Sequence, residues 1–321
     1  MKAIVLCAGM GTRLRPITDA LPKPLIEITG FVLLHDILLH LASMGVTEAV
    51  VNGSWKAEMI RDFIADSNLP MKTVFQLEEQ PLGTAGAVRR ALPLLGDEFL
   101  VVYGDNLTRQ PVEPLYKVHS RLNSEITIAL SPTGDPSSKG IVITGPDGRI
   151  TRFREKPPPE LAESNMANSG IYICRSSAVS HIEDGSFSDF GLDVFPRLLG
   201  EGRTLAADTP GGYTKDIGSL ENYLIACHEV LSGQVKLNVK PSGMNNGILI
   251  ENSQSYEEIE IIGTLWVQDG ATIESGCCLE NCVVLSGAKV RHNSALKNTL
   301  VLPDSDVDEG TRATDKYLSI F

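Results

Sequence analysis

Short apolar runs alternate with longer amphipathic stretches over the first two-thirds of the chain. Ala3–Leu6, Ala49–Val51, Thr73–Gln76 and Phe99–Val102 read as buried strands. Between them, Leu33–Met44, Ala57–Ala65 and Thr84–Leu95 space their apolar residues as helices do. This alternation predicts a largely parallel sheet covered by helices. Later strands are predicted at Ile126–Leu130, Ile141–Ile143, Ile150–Phe153 and Gly170–Cys174, and a helix at Leu220–Leu231. Such sheets bind ligands at the carboxyl ends of their strands, which singles out the loops after Leu6, Gln76 and Val102.

Past residue 232 the pattern changes. Residues 233–262 lack a helical period and carry Ser, Gly and Asn clusters, so they read as a connector with some strand content. Beyond it, Val267, Ile273 and Leu279 recur every six positions. Val284, Val290 and Leu296 repeat that spacing after a one-residue slip, and Val301 and Val307 begin a third set. A six-residue period predicts a parallel β-helix, in which each short strand sends one aliphatic side chain into a stacked interior. The chain therefore divides into an α/β domain at 1–232, a connector at 233–262 and a hexapeptide-repeat domain at 263–321.

Composition narrows the class. The 321 residues, 42% of them hydrophobic and 21% charged, fit an ordinary two-domain globular protein. A net charge of −12 argues against nucleic acid or an anionic membrane as partner, but leaves room for a local basic pocket. The six cysteines show no zinc-site spacing and read as reduced, mostly buried thiols. Because the N-terminus opens directly into a strand, no signal peptide is expected. No apolar run is long enough for a bilayer, and a cytoplasmic location is expected.

The strongest chemical signal follows the first strand: Gly9-Met10-Gly11-Thr12-Arg13-Leu14, then Pro22-Lys23-Pro24-Leu25. Glycines let the backbone pass close to a phosphate chain, and exposed N–H groups there form an anion nest. Arg13 and Lys23 add fixed positive charge. A dinucleotide-binding loop fits poorly, since Leu14 replaces its third glycine and the second strand ends in neutral Asn52. Gly104-Asp105-Asn106 follows another strand, and an aspartate just past a strand end suits Mg²⁺, which takes oxygen ligands. The six histidines fit no metal spacing, and Trp55 and Trp266 read as packing or interface residues.

Gly-x-Gly-Thr-Arg-Leu-x-Pro followed by Pro-Lys-Pro-Leu resembles the sugar-1-phosphate nucleotidyltransferase family, over residues 1 to about 232. One departure is Gly30-Phe31-Val32-Leu33, where that family usually has Lys-Pro after the glycine. The resemblance implies a Rossmann-like, GT-A-like α/β fold with a mixed, mostly parallel sheet and flanking helices. The tail is similar to the left-handed parallel β-helix of several members, through which a homo-oligomer is expected.

By the same resemblance Leu6, Ala8, Gly9, Gly11, Thr12, Arg13 and Lys23 hold the nucleotide. Pro81-Leu82-Gly83-Thr84-Ala85-Gly86 resembles the base-recognition loop, with Gly83 admitting a flat base and Thr84 able to cap the following helix. Asp105, Gly140, Glu155, Lys156 and Asn168 are implied on the sugar phosphate. Asp105 and Asp216 are implied as ligands of Mg²⁺, the expected cofactor. Small-molecule substrates are implied, a nucleoside triphosphate (NTP) and a sugar 1-phosphate. A phosphate oxygen of the latter would attack the α-phosphorus, and Arg13, Lys23 and Lys156 would be the catalytic cations. Glu78 offers two acceptors and no donor, which suits the paired donors of guanine and favours GTP, with mannose 1-phosphate or a related hexose or heptose 1-phosphate. Alternatives are thymidylyl or uridylyl transfer to glucose 1-phosphate, a hexapeptide acyltransferase using His292, and a non-catalytic regulatory subunit.

Overall fold

The computed structural model describes residues 1–238, 241–251 and 258–319. It divides into two compact units, one of residues 1–9 and 37–214, the other of residues 10–36 and 215–321.

The first unit is built on a nine-stranded sheet: β1 (Lys2–Leu6), β2 (Glu48–Gly53), β3 (Lys72–Leu77), β4 (Glu98–Tyr103), β5 (Ile126–Pro132), β6 (Gly140–Thr144), β7 (Ile150–Glu155), β8 (Met166–Arg175) and β9 (Leu205–Asp208). Its main path runs β7-β6-β8-β4-β1-β2-β3, with β5 pairing both β8 and β9. The pairs among β4, β1, β2 and β3 are parallel, as the strand–helix alternation requires. On the other side β8 runs antiparallel to β4, β5 and β6, and β6 to β7. The sheet is thus mixed, and parallel only in part. The short link from Thr144 to Ile150 is too brief for a crossover, so those strands can only form a hairpin.

The helices Ala57–Asp66, Gly83–Leu95 and Glu113–Leu122 flank this sheet. The last of these, and β9, are elements that apolar periodicity did not reveal. Glu113–Leu122 buries only Leu115 and His119, too narrow a stripe to read from sequence. Ile4, Val101, Ile128, Tyr172, Phe190 and Phe195 belong to one continuous core. Within it, Tyr172 meets Phe190 and Phe195 edge-on at 5.2 and 5.5 Å, a geometry that sets ring edges against ring faces.

In the second unit, the strands Glu260–Val267, Cys278–Val284 and Ala295–Val301 stack in parallel. The two-residue strands Thr272–Ile273, Lys289–Val290 and Asp306–Val307 form a second parallel sheet. Cys278 pairs with Ala295, and Ala295 with Arg312, so equivalent residues lie 17 apart. All eight aliphatic residues of the six-residue pattern fall in one buried cluster. The one-residue slip has a structural cause. Left-handed backbone occurs at Gly276, Asn281, Gly287, Asn293, Asn298 and Asp304, in steps of five, six and six residues. One in every three of these steps is therefore a residue shorter than the other two.

Asparagine fits these corners because it tolerates positive φ and its amide can bond along the stack. Asn281 Oδ1 accepts from the Thr264 amide, Asn281 Nδ2 donates to Asn298 Oδ1 at 3.3 Å, and Asn298 Nδ2 donates to Asp315 Oδ1 at 2.9 Å. Of the connector expected at 233–262, residues 239–240 and 252–257 lie outside the described residues. The remainder carries the strand Ile248–Ile250 and the start of Glu260–Val267. Five cysteines are buried and Cys278 is partly so. Among the described residues no helix is long and apolar enough to cross a membrane.

Candidate active site

In the first unit, polar groups gather at the carboxyl ends of β1, β2, β3 and β4. Gly104 N donates to Leu6 O at 2.9 Å, and a Cβ on Gly104 would collide with Cys7 Sγ. The glycine thus lets the turn after β4 lie against the end of β1, and Asp105 follows it. Next along the sheet, Cys7 N donates to Asn52 Oδ1 at 2.6 Å, and Asn52 Nδ2 donates to Glu78 Oε1 at 2.6 Å. The other Glu78 oxygen accepts from Leu82 N at 3.2 Å. Asn52 and Glu78 are each 2% exposed.

The helix Gly83–Leu95 starts without a side-chain cap. The N-cap residue is Leu82, and Thr84 lies inside the first turn, so Thr84 does not cap it. Its hydroxyl instead donates to Asp189 Oδ2 at 2.8 Å and accepts from Phe190 N at 3.0 Å. The orphan amides of the first turn go to Ser188 O, which accepts from Ala85 N and Gly86 N at 2.9 and 3.1 Å. Gly83 has φ +70°, and a Cβ there would strike that same carbonyl. Its lack of a side chain therefore admits the 186–188 segment.

Glu155 lies between two glycines. A Cβ on Gly191 would stand 2.5 Å from Glu155 Oε2, and one on Gly140 2.9 Å from it. Burial raises the Glu155 pKa, nearby Lys156 opposes that rise, and Asp189 adds to it. Lys156 Nζ lies 3.6 Å from Glu155 Oε1 and is well exposed. Its φ of 43° is uncommon for a side chain of this size and marks local strain at the end of β7. Asn168 Nδ2 donates to the Tyr172 hydroxyl at 2.6 Å, its Oδ1 accepts from Gly170 N, and Tyr172 donates on to Tyr103 at 3.0 Å. The β5–β8 register shifts between Asn168 and Tyr172, and this irregularity turns the amide toward Tyr172.

The second unit carries the other residues. Gly11 has φ +65°, and a Cβ there would meet Thr18 Cγ2 at 2.9 Å and Lys23 Cβ at 3.1 Å. The glycine turn and the Pro-Lys-Pro segment are therefore packed together, tied by the Thr18 hydroxyl donating to Gly11 O at 2.9 Å. Thr12 and Arg13 are exposed and Lys23 is buried. Lys23 Nζ stands 3.5 Å from Asp216 Oδ1. That oxygen is shielded from solvent and accepts no hydrogen bond among the described residues. It is the kind of oxygen a hard divalent cation takes, so the donor chemistry fits such an ion. A Cβ on Gly218 would lie 2.7 Å from Asp216 Oδ1 and 2.9 Å from Arg13 Nη2. His292 lies in the turn between the strands Lys289–Val290 and Ala295–Val301, its Nε2 3.2 Å from Glu274 Oε2.

Sequence reasoning missed Asp189, Tyr103 and Tyr172. Asp189 carried a usable signal: it stands two residues before Gly191, and its Oδ1 accepts from Gly191 N at 2.8 Å and Leu192 N at 3.2 Å, as an N-cap does. The two tyrosines had none, since buried aromatics on strands are ordinary core.

A glycine turn and acidic side chains at the carboxyl edge of parallel strands define an α/β enzyme of the nucleotide-handling kind. The chain belongs to the nucleotidyl transferase family, whose profile matches residues 2–233. It is 30% identical over 315 residues to a probable mannose-1-phosphate guanylyltransferase 1 of Oryza sativa subsp. japonica, covering 94% of this chain and 86% of that one. It is also 30% identical to a UTP–glucose-1-phosphate uridylyltransferase of Synechocystis, covering 99% of this chain and 87% of that one. Crystal structures of HddC from Yersinia pseudotuberculosis, one of them complexed with GMP-PN, superpose with TM-scores of 0.62 and 0.61 at 27% and 28% identity. Each covers 71% of this chain and 99% of HddC.

Proposed function

We propose that this chain transfers a nucleoside monophosphate from GTP to mannose 1-phosphate or a related hexose or heptose 1-phosphate, releasing pyrophosphate. Support comes from relatives of rice, Arabidopsis and Aspergillus that carry mannose-1-phosphate guanylyltransferase names and match nearly the whole chain. The structural observation that carries the reading is the packed Gly11–Thr18–Lys23 turn, with Arg13 and Asp216 both close to Gly218. Exposed backbone N–H groups and two cations suit a triphosphate tail.

In this reading the reaction needs no covalent enzyme intermediate. Lys156, exposed at the end of β7, binds the phosphate of the sugar and orients its attacking oxygen. Glu155, Gly140 and Asn168 take the sugar, and Leu6, Ala8, Gly9, Gly83 and Thr84 line the nucleotide. Arg13 and Lys23 neutralise charge growing toward the departing pyrophosphate, a positioning and electrostatic contribution typical of phosphoryl transfer. Asp105 and Asp216 would hold a divalent cation, Mg²⁺, which when bound supplies positive charge to the phosphates. The catalytic domain is assigned to residues 1–232, the connector to 233–262, and the stacked strands of 263–321 to a left-handed β-helix of hexapeptide repeats. Self-association through that tail is part of the same reading. Light scattering on the full chain would count against it by giving the 34.7 kDa mass of a single copy.

The Synechocystis relative supports a second reading, uridylyl transfer to glucose 1-phosphate. Pyrophosphate release from GTP, UTP, ATP and dTTP, each paired with mannose, glucose and heptose 1-phosphates, separates the two. A preference for UTP with glucose 1-phosphate replaces the first reading with the second. No release from any pair overturns both.

A further inference from the structure

The turn that carries Lys23 runs straight into a hairpin, Glu27–Ile28 paired with Phe31–Val32. Ile26 N donates to Lys23 O at 3.2 Å, and Leu33 N donates to Ile26 O at 3.1 Å, so turn and hairpin form one continuous piece of backbone. The two residues at the hairpin tip, Thr29 and Gly30, have φ of 49° and 78°, as a two-residue turn between antiparallel strands requires. That conformation is rare for a β-branched residue, and Thr29 is fully buried. A strained tip of this kind persists only where its surroundings hold it.

The groups that hold it all belong to the second unit. Tyr223, on the helix Leu220–Leu231, donates its hydroxyl to Glu27 O at 2.9 Å. A Cβ on Gly30 would stand 3.0 Å from Glu251 Oε1 and 3.2 Å from Leu249 Cδ2. Glu251 Oε1 in turn accepts from the Trp266 indole N–H at 2.8 Å. The tail also reaches the hairpin directly, where Gln268 Nε2 donates to Glu27 Oε2 at 2.8 Å. The same helix serves Asp216. Its Glu229 accepts from Lys215 Nζ at 3.0 Å, and its His228 Nδ1 lies 2.8 Å from Thr264 Oγ1. Both sides of the Lys23–Asp216 pair are therefore tied, directly or through one helix, to the strand Glu260–Val267 and to Gln268 just after it.

The polarity of the Gln268 contact is fixed. Ser286 N, which can only donate, meets Gln268 Oε1 at 3.0 Å. The carbonyl end of the amide is thus taken, and its NH₂ is left to face the Glu27 carboxylate.

We propose that Gln268 and Glu27 are positioning residues, through which the stacked strands of the tail hold Lys23 in its working place. The tail then has a share in turnover that is separate from self-association. What Lys23 does there rests on the nucleotide-transfer reading above, but the bracing is a property of the chain alone.

Exchanging the two side chains supplies the test. Gln268→Glu keeps an acceptor for Ser286 N but sets a second carboxylate against Glu27, a like-charge contact. The double variant Glu27→Gln/Gln268→Glu restores the bond in reverse. The NH₂ now at position 27 donates to the carboxylate now at position 268, whose other oxygen still accepts from Ser286 N. Wild type and both variants are compared by amide hydrogen exchange, by kcat and KM for pyrophosphate release, and by light scattering. Gln268→Glu is expected to speed exchange in residues 10–32 about tenfold, the scale of one hydrogen bond to a charged group, while β2 to β4 exchange as before. Its kcat should fall about tenfold, as misplacement of a catalytic group implies. KM for the sugar 1-phosphate, whose implied groups lie in the first unit, should stay within about twofold. The double variant should recover most of both losses.

Unchanged exchange in residues 10–32 on Gln268→Glu, or a kcat that stays low in the double variant, would overturn the proposal. So would a fall in particle mass that accompanies the loss of turnover, since the tail would then act through assembly. If Gln268→Glu does not fold, the double variant is read directly against wild type, and fast exchange in residues 10–32 with low kcat overturns the bracing. If the wild-type protein turns over no nucleotide, the transfer reading falls, and hydrogen exchange alone decides on the brace.

Discussion

Lys23 sets its ammonium 3.5 Å from Oδ1 of Asp216, an oxygen that finds no hydrogen-bond donor of its own among the described residues. The Lys23 charge offsets part of the cost of keeping this oxygen dry, and its free hydrogen-bonding capacity leaves it open to a cation. Asp216→Asn keeps the shape and removes the charge. Turnover should fall roughly 10²–10³-fold, on the scale of losing one preorganised electrostatic contact. Pyrophosphate release over a Mg²⁺ titration reads this out, and a variant keeping half the wild-type rate would contradict it.

Gly218 stands where any side chain would press on both Arg13 and Asp216. Gly218→Ala should therefore separate the two by tenths of an ångström to an ångström. Misplacement on that scale costs up to about 10²-fold in rate. The thermal midpoint should move little, because only mobile side-chain ends are displaced. A loss confined to stability, with kcat unchanged, would show that the glycine serves the fold alone.

Glu155 gives a pH prediction. Burial raises its pKa, so the folded protein holds this proton more tightly than the unfolded chain does. As pH rises from the ordinary carboxylate range through the raised value, the unfolded state releases the proton first, and stability falls. Glu155→Gln removes that penalty. The variant should melt higher than wild type at neutral pH, with the gap closing as pH drops below the ordinary carboxylate range. Melting curves from about pH 4 to 8, spanning the ordinary carboxylate range and neutrality, check the sign. A constant gap across that range would refute it.

Asn281 adopts φ 52° at a corner of the stacked strands and bonds upward and downward. Asn281→Gly loses the amide but keeps the backbone freedom. Asn281→Ala loses both, adding roughly 1–2 kcal/mol for a left-handed non-glycine residue. Denaturant midpoints should rank wild type, then glycine, then alanine. Equal losses in the two variants would place the whole effect in the amide.

Much of the fold is visible in the sequence. β1 to β4 stand on short apolar runs and the helices between them on amphipathic spacing, and every aliphatic that the six-residue pattern names is buried in the tail. What escaped has a physical reason. Glu113–Leu122 shows too little apolar face, and the antiparallel half of the sheet depends on pairing partners far apart in the chain. Motifs singled out Gly11, Lys23, Glu155 and Asp216 as candidates but not what surrounds each of them. Glu78 illustrates the limit: its residue type suited a base edge, while its partner Asn52 emerges only when β2 and β3 lie side by side. Gly83 is similar, since nothing local says that Ser188 will arrive above it.

The five-six-six spacing of these left-handed corners makes length in the tail a quantised property. Removing one residue from a face turns every later aliphatic out of phase, so single insertions and deletions between Gly276 and Asp304 should be among the least tolerated changes in the protein. Gain or loss of 17 residues at once leaves the interior in step. In this region, drift in size is permitted only in whole turns.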